Sequence, residues 1–252
     1  MKNALIYTVI FGAIQVVVSF MVQGIWMLVM GKDQVMNATG MIITMALFSI
    51  ITIAVFLIAK WSVLSRHWVR TRPWFVLFWC VVAALGALVP SVWLQEHMPE
   101  LPNLVEGEFD MIMKDRMGYF VVGLLAPLAE EMVFRGAILR SLLRWKSNPW
   151  IGIVISAILF AVIHMNPAQM PHAFLIGLLL GWMYWRTDSI VPGVVYHWVN
   201  NTVAYILYNI YPNPDLTLVE LFGSEQKVWM ALGFSLLIFL PSLYQLNQRL
   251  SK

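Results

Sequence analysis

Between Leu124 and Arg135 the chain reads LLAPLAEEMVFR, two adjacent carboxylates and a guanidinium inside a long apolar run. A charge at the centre of a bilayer costs about 2.5–3.5 kcal/mol on insertion scales, so such groups are functional candidates by default. Glu131 and Arg135 lie four residues apart, acid first, the better order for an ion pair on one helical face. Glu130 points about 100° away on the same helix and has no local partner. It is therefore the carboxylate whose presence calls for chemistry.

Two further polar groups of residues interrupt apolar segments. In FAVIH, Phe160 and His164 are four apart, so the ring can pack beside the imidazole and fix its rotamer. In HWVNN, His197 and Asn201 share a helical face and Asn200 is rotated off it. Any one of these can be an ordinary interhelical hydrogen bond. Glu130, Glu131, Arg135, His164, His197 and Asn201 together form the parts list of a hydrolase without a covalent nucleophile. A carboxylate and an imidazole can hold one water, with the carboxylate as general base. A second imidazole and a carboxamide can donate to the oxyanion formed when that water attacks a carbonyl. Zinc is the rival use of the same atoms, with Glu130, His164 and His197 as ligands and water fourth. The HExxH helix of common zinc proteases is absent, so no cofactor is expected and zinc is the alternative.

The elements that must position these residues are membrane helices. Of 252 residues, 60% are hydrophobic and 12% charged, against about 25% charged in soluble domains. Mean hydropathy is +0.76. The net charge of +3 is no nucleic-acid signal, because the placement of the charges matters more than their sum. Spans of about 20 apolar residues cross a bilayer, and we count eight. They run over 4–30, 41–59, 74–93, 118–139, 150–164, 171–185, 191–211 and 228–246. The expectation is an all-α, polytopic membrane helix bundle, one domain over 1–252 with its core at about 118–211. The first span is read as retained, being too long for a cleavable signal core. With the N-terminus inside, the cytoplasmic segments hold eleven Lys and Arg, namely Lys2, Lys60, Arg66, Arg70, Arg72, Arg140, Arg144, Lys146, Arg186, Arg249 and Lys252. The other side holds four, Lys32, Lys114, Arg116 and Lys227, which favours N-in and C-in. The acidic external loop around Glu96 to Asp110 reads as a solvated linker. His172 reads as a helix-start residue, Gly177 and Gly181 as close helix packing, and the lone thiol, Cys80, as packing.

Depth poses a problem. Linear counting at 1.5 Å per residue places His197 near the cytoplasmic end of its span and His164 towards the external end of its own. For these to meet Glu130, a helix must be tilted, broken or shifted. Pro127, Pro167 and Pro171 are the places for such irregularity.

At these residues the chain resembles the CAAX protease and bacteriocin-processing family of intramembrane proteases, which includes the type II CAAX prenyl endopeptidases. The family pattern EExxxR, FxxxH, HxxxN is matched in order by Glu130–Glu131–Arg135, Phe160–His164 and His197–Asn201. The resemblance covers roughly Leu124 to Ala204. It implies an eight-helix bundle with Glu130 as base, His164 holding the water, and His197 and Asn201 as the oxyanion site. Glu131, Arg135 and Phe160 would support them. It also implies a peptide or membrane-protein substrate and a bacterial plasma-membrane location. Two other classes compete. One is a non-catalytic scaffold or immunity protein using the same residues as a hydrogen-bond network. The other is a transporter with a glutamate proton relay, which should show internal repeats that this sequence lacks.

Overall fold

The computed structural model describes residues 1–31, 35–63, 65–71, 73–145, 147–211, 213 and 216–250. Of the charges counted above, Lys32, Arg72, Lys146 and Lys252 lie outside the described residues, as do the side chains of Arg66 and Arg70. The described chain is all-helical, with no strand among the described residues. The elements are α1 (Lys2–Met30), α2 (Ala38–Ile58), α3 (Arg66–Thr71), α4 (Trp74–Glu96), α5 (Glu106–Lys114), π1 (Phe120–Leu125), α6 (Ala126–Val133), π2 (Phe134–Leu139), α7 (Arg140–Leu143), α8 (Pro149–Val162), α9 (Met170–Thr187), α10 (Val191–Ile210), α11 (Leu218–Phe222) and α12 (Glu225–Arg249).

Their ends follow from local chemistry. Asn37 and Asn148 accept from backbone N–H groups at the starts of α2 and α8, and Ser224 does so for α12. Pro149, Pro171 and Pro192 stand in first turns, where a missing N–H costs nothing. Helices α1, α2, α4 and α12 are each long and apolar enough to cross a membrane. Val9, Phe20, Leu28, Phe75 and Leu237 project outward from them, as expected where lipid rather than water is the solvent. The chain is an integral membrane protein.

Close helix approach is carried by small residues. An added Cβ on Gly86 of α4 would stand 2.7 Å from the Phe239 nitrogen of α12. One on Gly177 of α9 would stand 2.9 Å from the Ala157 Cβ of α8. The reading of Gly177 as close packing is borne out. One apolar cluster joins α4, α9, α10 and α12 around Cys80, Leu180 and Tyr196. A second joins α1, α2, α6, π2 and α8 around Phe56, Phe134 and Phe160. The polar residues lie between the two.

Two irregularities bring those residues together. Residues 118–143 form one continuous helix, but its winding changes to π on both sides of α6, the 8-residue segment that carries Glu130 and Glu131. Helix α8 has only 14 residues, about 21 Å at 1.5 Å per residue, against about 30 Å of hydrocarbon. His164 therefore sits not on the helix but on the turn just beyond its end. Met165 adopts φ 49° to make that turn.

Polar groups on a turn packed among helices need protein partners. The loop between α4 and α5 supplies some of them, while the acids in and beside it, Glu96, Glu100, Glu106 and Glu108, stay exposed, as a solvated linker would. Asn166 is fully buried; its Oδ1 accepts from the Leu104 N–H at 3.0 Å, and its Nδ2 donates to Asn103 Oδ1 at 2.8 Å. The Ala168 N–H donates to the Pro102 carbonyl at 3.3 Å. Farther along, the loop winds into α5, held to α10 by Tyr205 and Asn209 donating to the carbonyls of Asp115 and Met113.

Candidate functional site

The acid–base pair forms as its spacing predicts. Arg135 Nη1 donates to Glu131 Oε1 at 2.7 Å, with the two side chains 1% and 0% exposed. Arg135 Nη2 donates to the Gly177 carbonyl at 3.3 Å, so the guanidinium also ties this helix to α9. Its carbon lies 4.5 Å from the centroid of the Phe160 ring, a cation–π contact within the core. Glu131 is enclosed from the remaining side by Gly193, where an added Cβ would stand 2.7 Å from Oε2. The carboxylate is thus packed against the backbone of α10.

His197 lies between the two carboxylates. Its Nδ1 is 3.2 Å from Glu131 Oε1. A buried carboxylate beside an arginine accepts, so Nδ1 carries hydrogen and points the other nitrogen outward. That nitrogen, Nε2, is 3.7 Å from Glu130 Oε2. Glu130, left without a partner on its own helix, therefore faces His197 of α10 from just beyond hydrogen-bond length. The Glu130 side chain keeps 20% exposure where Glu131 keeps none.

His164 reaches the same centre through Phe160. Its Nδ1 donates to the Phe160 carbonyl at 2.7 Å, which leaves Nε2 as its free edge. The Phe160 ring, 2% exposed, meets His164 edge-to-face at 4.9 Å and His197 at 5.9 Å. One buried phenyl ring thus contacts the guanidinium and both imidazoles. The expected rotamer-fixing role of Phe160 is present, extended to three partners.

Asn201 sits one turn beyond His197 on α10. Its Nδ2 donates to the Val122 carbonyl at 3.0 Å, and its Oδ1 accepts from Asn200 Nδ2 at 3.2 Å. One amide hydrogen is committed to this bond and one is not. His172, read from the sequence as a helix-start residue, does stand in the first turn of α9. It also lies close enough to His164 and His197 for a charge on any one to act on the others. No motif spacing marks it; only the short turn between α8 and α9 brings it in. Among the described residues, no three His, Cys, Asp or Glu side chains converge as a metal-ligand set.

Residues 114–203 match the family model described as type II CAAX prenyl endopeptidase Rce1-like. That segment contains every residue of the three motifs. A UPF0177 protein, YxdF, of Lactococcus lactis subsp. lactis (strain IL1403) is 27% identical over 79 residues. The alignment covers 31% of this chain and spans 42% of the length of that relative. No solved structure gives a significant match.

Proposed function

We propose that the chain is an intramembrane endopeptidase that hydrolyses a peptide bond with a water activated by Glu130. The observation that carries this reading is the division of labour between two neighbouring carboxylates. Glu131 is sealed in and consumed by Arg135 and His197, whereas Glu130 stays partly exposed opposite the free nitrogen of His197. A group poised for proton transfer needs reach to its substrate; a purely structural one does not. The match of residues 114–203 to an endopeptidase family supports the same reading.

In this mechanism Glu130 and His164 Nε2 hold the water. Glu130 takes its proton as the oxygen bonds to the scissile carbonyl carbon. The oxyanion accepts hydrogen bonds from the uncommitted Asn201 N–H and from the Nε2 edge of His197, whose Nδ1 stays against Glu131. Glu130 then delivers the proton to the amide nitrogen, the C–N bond breaks, and an acid and an amine leave. Glu131, Arg135 and Phe160 fix the imidazoles and touch no reacting atom. Eight helical segments spanning the bilayer with both termini cytoplasmic complete the proposal, on the strength of the eleven-to-four charge split. The substrate class is a peptide or membrane protein presented from the bilayer of a bacterial plasma membrane.

The test is cleavage of a quenched peptide library by detergent-purified protein, with and without chelator, alongside metal content by mass spectrometry. Chelator-resistant cleavage that Glu130→Gln abolishes, at unchanged melting temperature, supports the proposal. One tightly held zinc per chain with chelator-sensitive cleavage would replace it with a metalloprotease. A Glu130→Gln protein that melts or degrades would return Glu130 to a structural network and favour the scaffold reading.

A further inference from the structure

Asn201 has a second partner in the sequence that no motif contains. The winding of π1 sends the Ala126 N–H to the Val121 carbonyl, five residues back. By the same register, the donor due to the Val122 carbonyl is the N–H of residue 127. Residue 127 is proline, which has none. The Val122 oxygen is therefore left without a backbone donor, in a residue only 8% exposed. A buried backbone carbonyl without a donor is costly and rare.

The missing donor comes from another helix. Asn201 Nδ2 is 3.0 Å from the Val122 oxygen. A carbonyl only accepts, so the carboxamide must present its nitrogen here, and Asn200 holds that orientation by donating to Asn201 Oδ1. We infer that Asn201 and Pro127 are a matched positioning pair. Pro127 removes one ladder donor from the continuous helix just before Glu130, and the Asn201 carboxamide stands in for the peptide N–H that the proline lacks.

The consequence is a fixed register between two helices. The bond is made four residues after His197 on α10 and eight residues before Glu130 on the other helix, so it sets how far α10 slides along α6. Trp198 Nε1 donating to the Tyr119 hydroxyl at 3.1 Å, and that hydroxyl lying 3.2 Å from Thr202 Oγ1, hold the same face. The inference concerns the backbone alone and stands whether or not the chain is a protease.

A double-substitution cycle on melting temperature tests it, using purified full-length protein. In the native background, Asn201→Ala should lower the melting temperature by about 2–10 °C, the cost of one buried carbonyl left bare. Asn201→Asp, of the same size but without the donor, should cost at least as much. In the Pro127→Ala background residue 127 regains an N–H, and either substitution should cost less than half its native-background loss. Should Asn201→Ala fail to accumulate, Pro127→Ala should restore its accumulation. A merely structural Asn201 would lose the same stability in both backgrounds. Equal losses, or no restoration, would overturn the inference without touching the protease reading.

Discussion

Replacing Arg135 tests how the charged centre is held. Its guanidinium makes a 2.7 Å bond to Glu131, a 3.3 Å bond to the Gly177 carbonyl, and a 4.5 Å contact with Phe160. In Arg135→Ala the Glu131 carboxylate stays fully buried, with His197 at 3.2 Å as its remaining donor, because Oε2 has no partner. Removing one member of a buried pair costs about 3–5 kcal/mol, and the lost cation–π contact adds about 0.5–2 kcal/mol. Taking about 4 kcal/mol, and about 2–4 °C per kcal/mol for a chain of this size, the apparent melting temperature should fall by about 8–16 °C. Arg135→Lys keeps the charge but not the planar fork, and should lose roughly half as much. The decisive variant is Glu131→Leu combined with Arg135→Met, which removes both charges and keeps the volume. It should melt closer to wild type than either single replacement, since an apolar pair avoids the uncompensated charge. Fluorescence-detected size exclusion after heating reads wild type, the two Arg135 variants, the double variant and its two component singles. If the two single losses add in the double variant, the ion pair is not the unit that the geometry describes.

Four other expectations follow from particular contacts. Gly193→Ala puts a Cβ 2.7 Å from Glu131 Oε2 and should cost about 1–3 kcal/mol by overpacking. Gly233→Ala, with nothing within 4 Å of the new atom, should be neutral or stabilising by up to about 1 kcal/mol in the same melting assay. Asn166→Ala strips the Leu104 N–H of its acceptor, so hydrogen exchange at Leu104 should speed up by at least tenfold; unchanged exchange would refute the clasp. Asp110 is held below the usual carboxylate range by its bond to Lys114 and then by the Tyr208 hydroxyl. A carboxylate with a depressed folded value stabilises above its unfolded value, about 3.9, and loses that contribution as pH falls through the folded one. Protection of the Met113 to Asp115 amides in α5 should accordingly hold from neutral pH to about pH 4 and decline below it. Asp110→Asn should flatten that decline.

What the sequence revealed and what it hid divide along physical lines. Contacts set by helical spacing were legible: Glu131 with Arg135, Phe160 with His164, and the bounds of the long helices, which depend on hydrophobic runs and on proline or asparagine starts. Contacts set by backbone winding were not. The π segments on either side of α6 carry no periodic signature, and the depth conflict between His164 and His197 showed only that some irregularity had to exist. The irregularity found there is a 14-residue α8 followed by a turn that carries His164. Partners 62 to 79 residues apart, such as Asn166 with Leu104 and Asn201 with Val122, leave no trace in local spacing. For the same reason the external loop read as a linker, and His172 as no more than a helix start.

The account turns on Glu130 as the group that moves the proton. The most direct test is the single-turnover cleavage rate of wild type and Glu130→Gln on one substrate in the same detergent, with melting temperatures matched. Glutamine keeps the size and the acceptor oxygen but cannot take a proton, so the rate should fall by about 10²–10⁴-fold, the usual share of a general base. A Glu130→Gln protein that cleaves within about threefold of wild type would contradict the account, leaving Glu130 with no part in activating water.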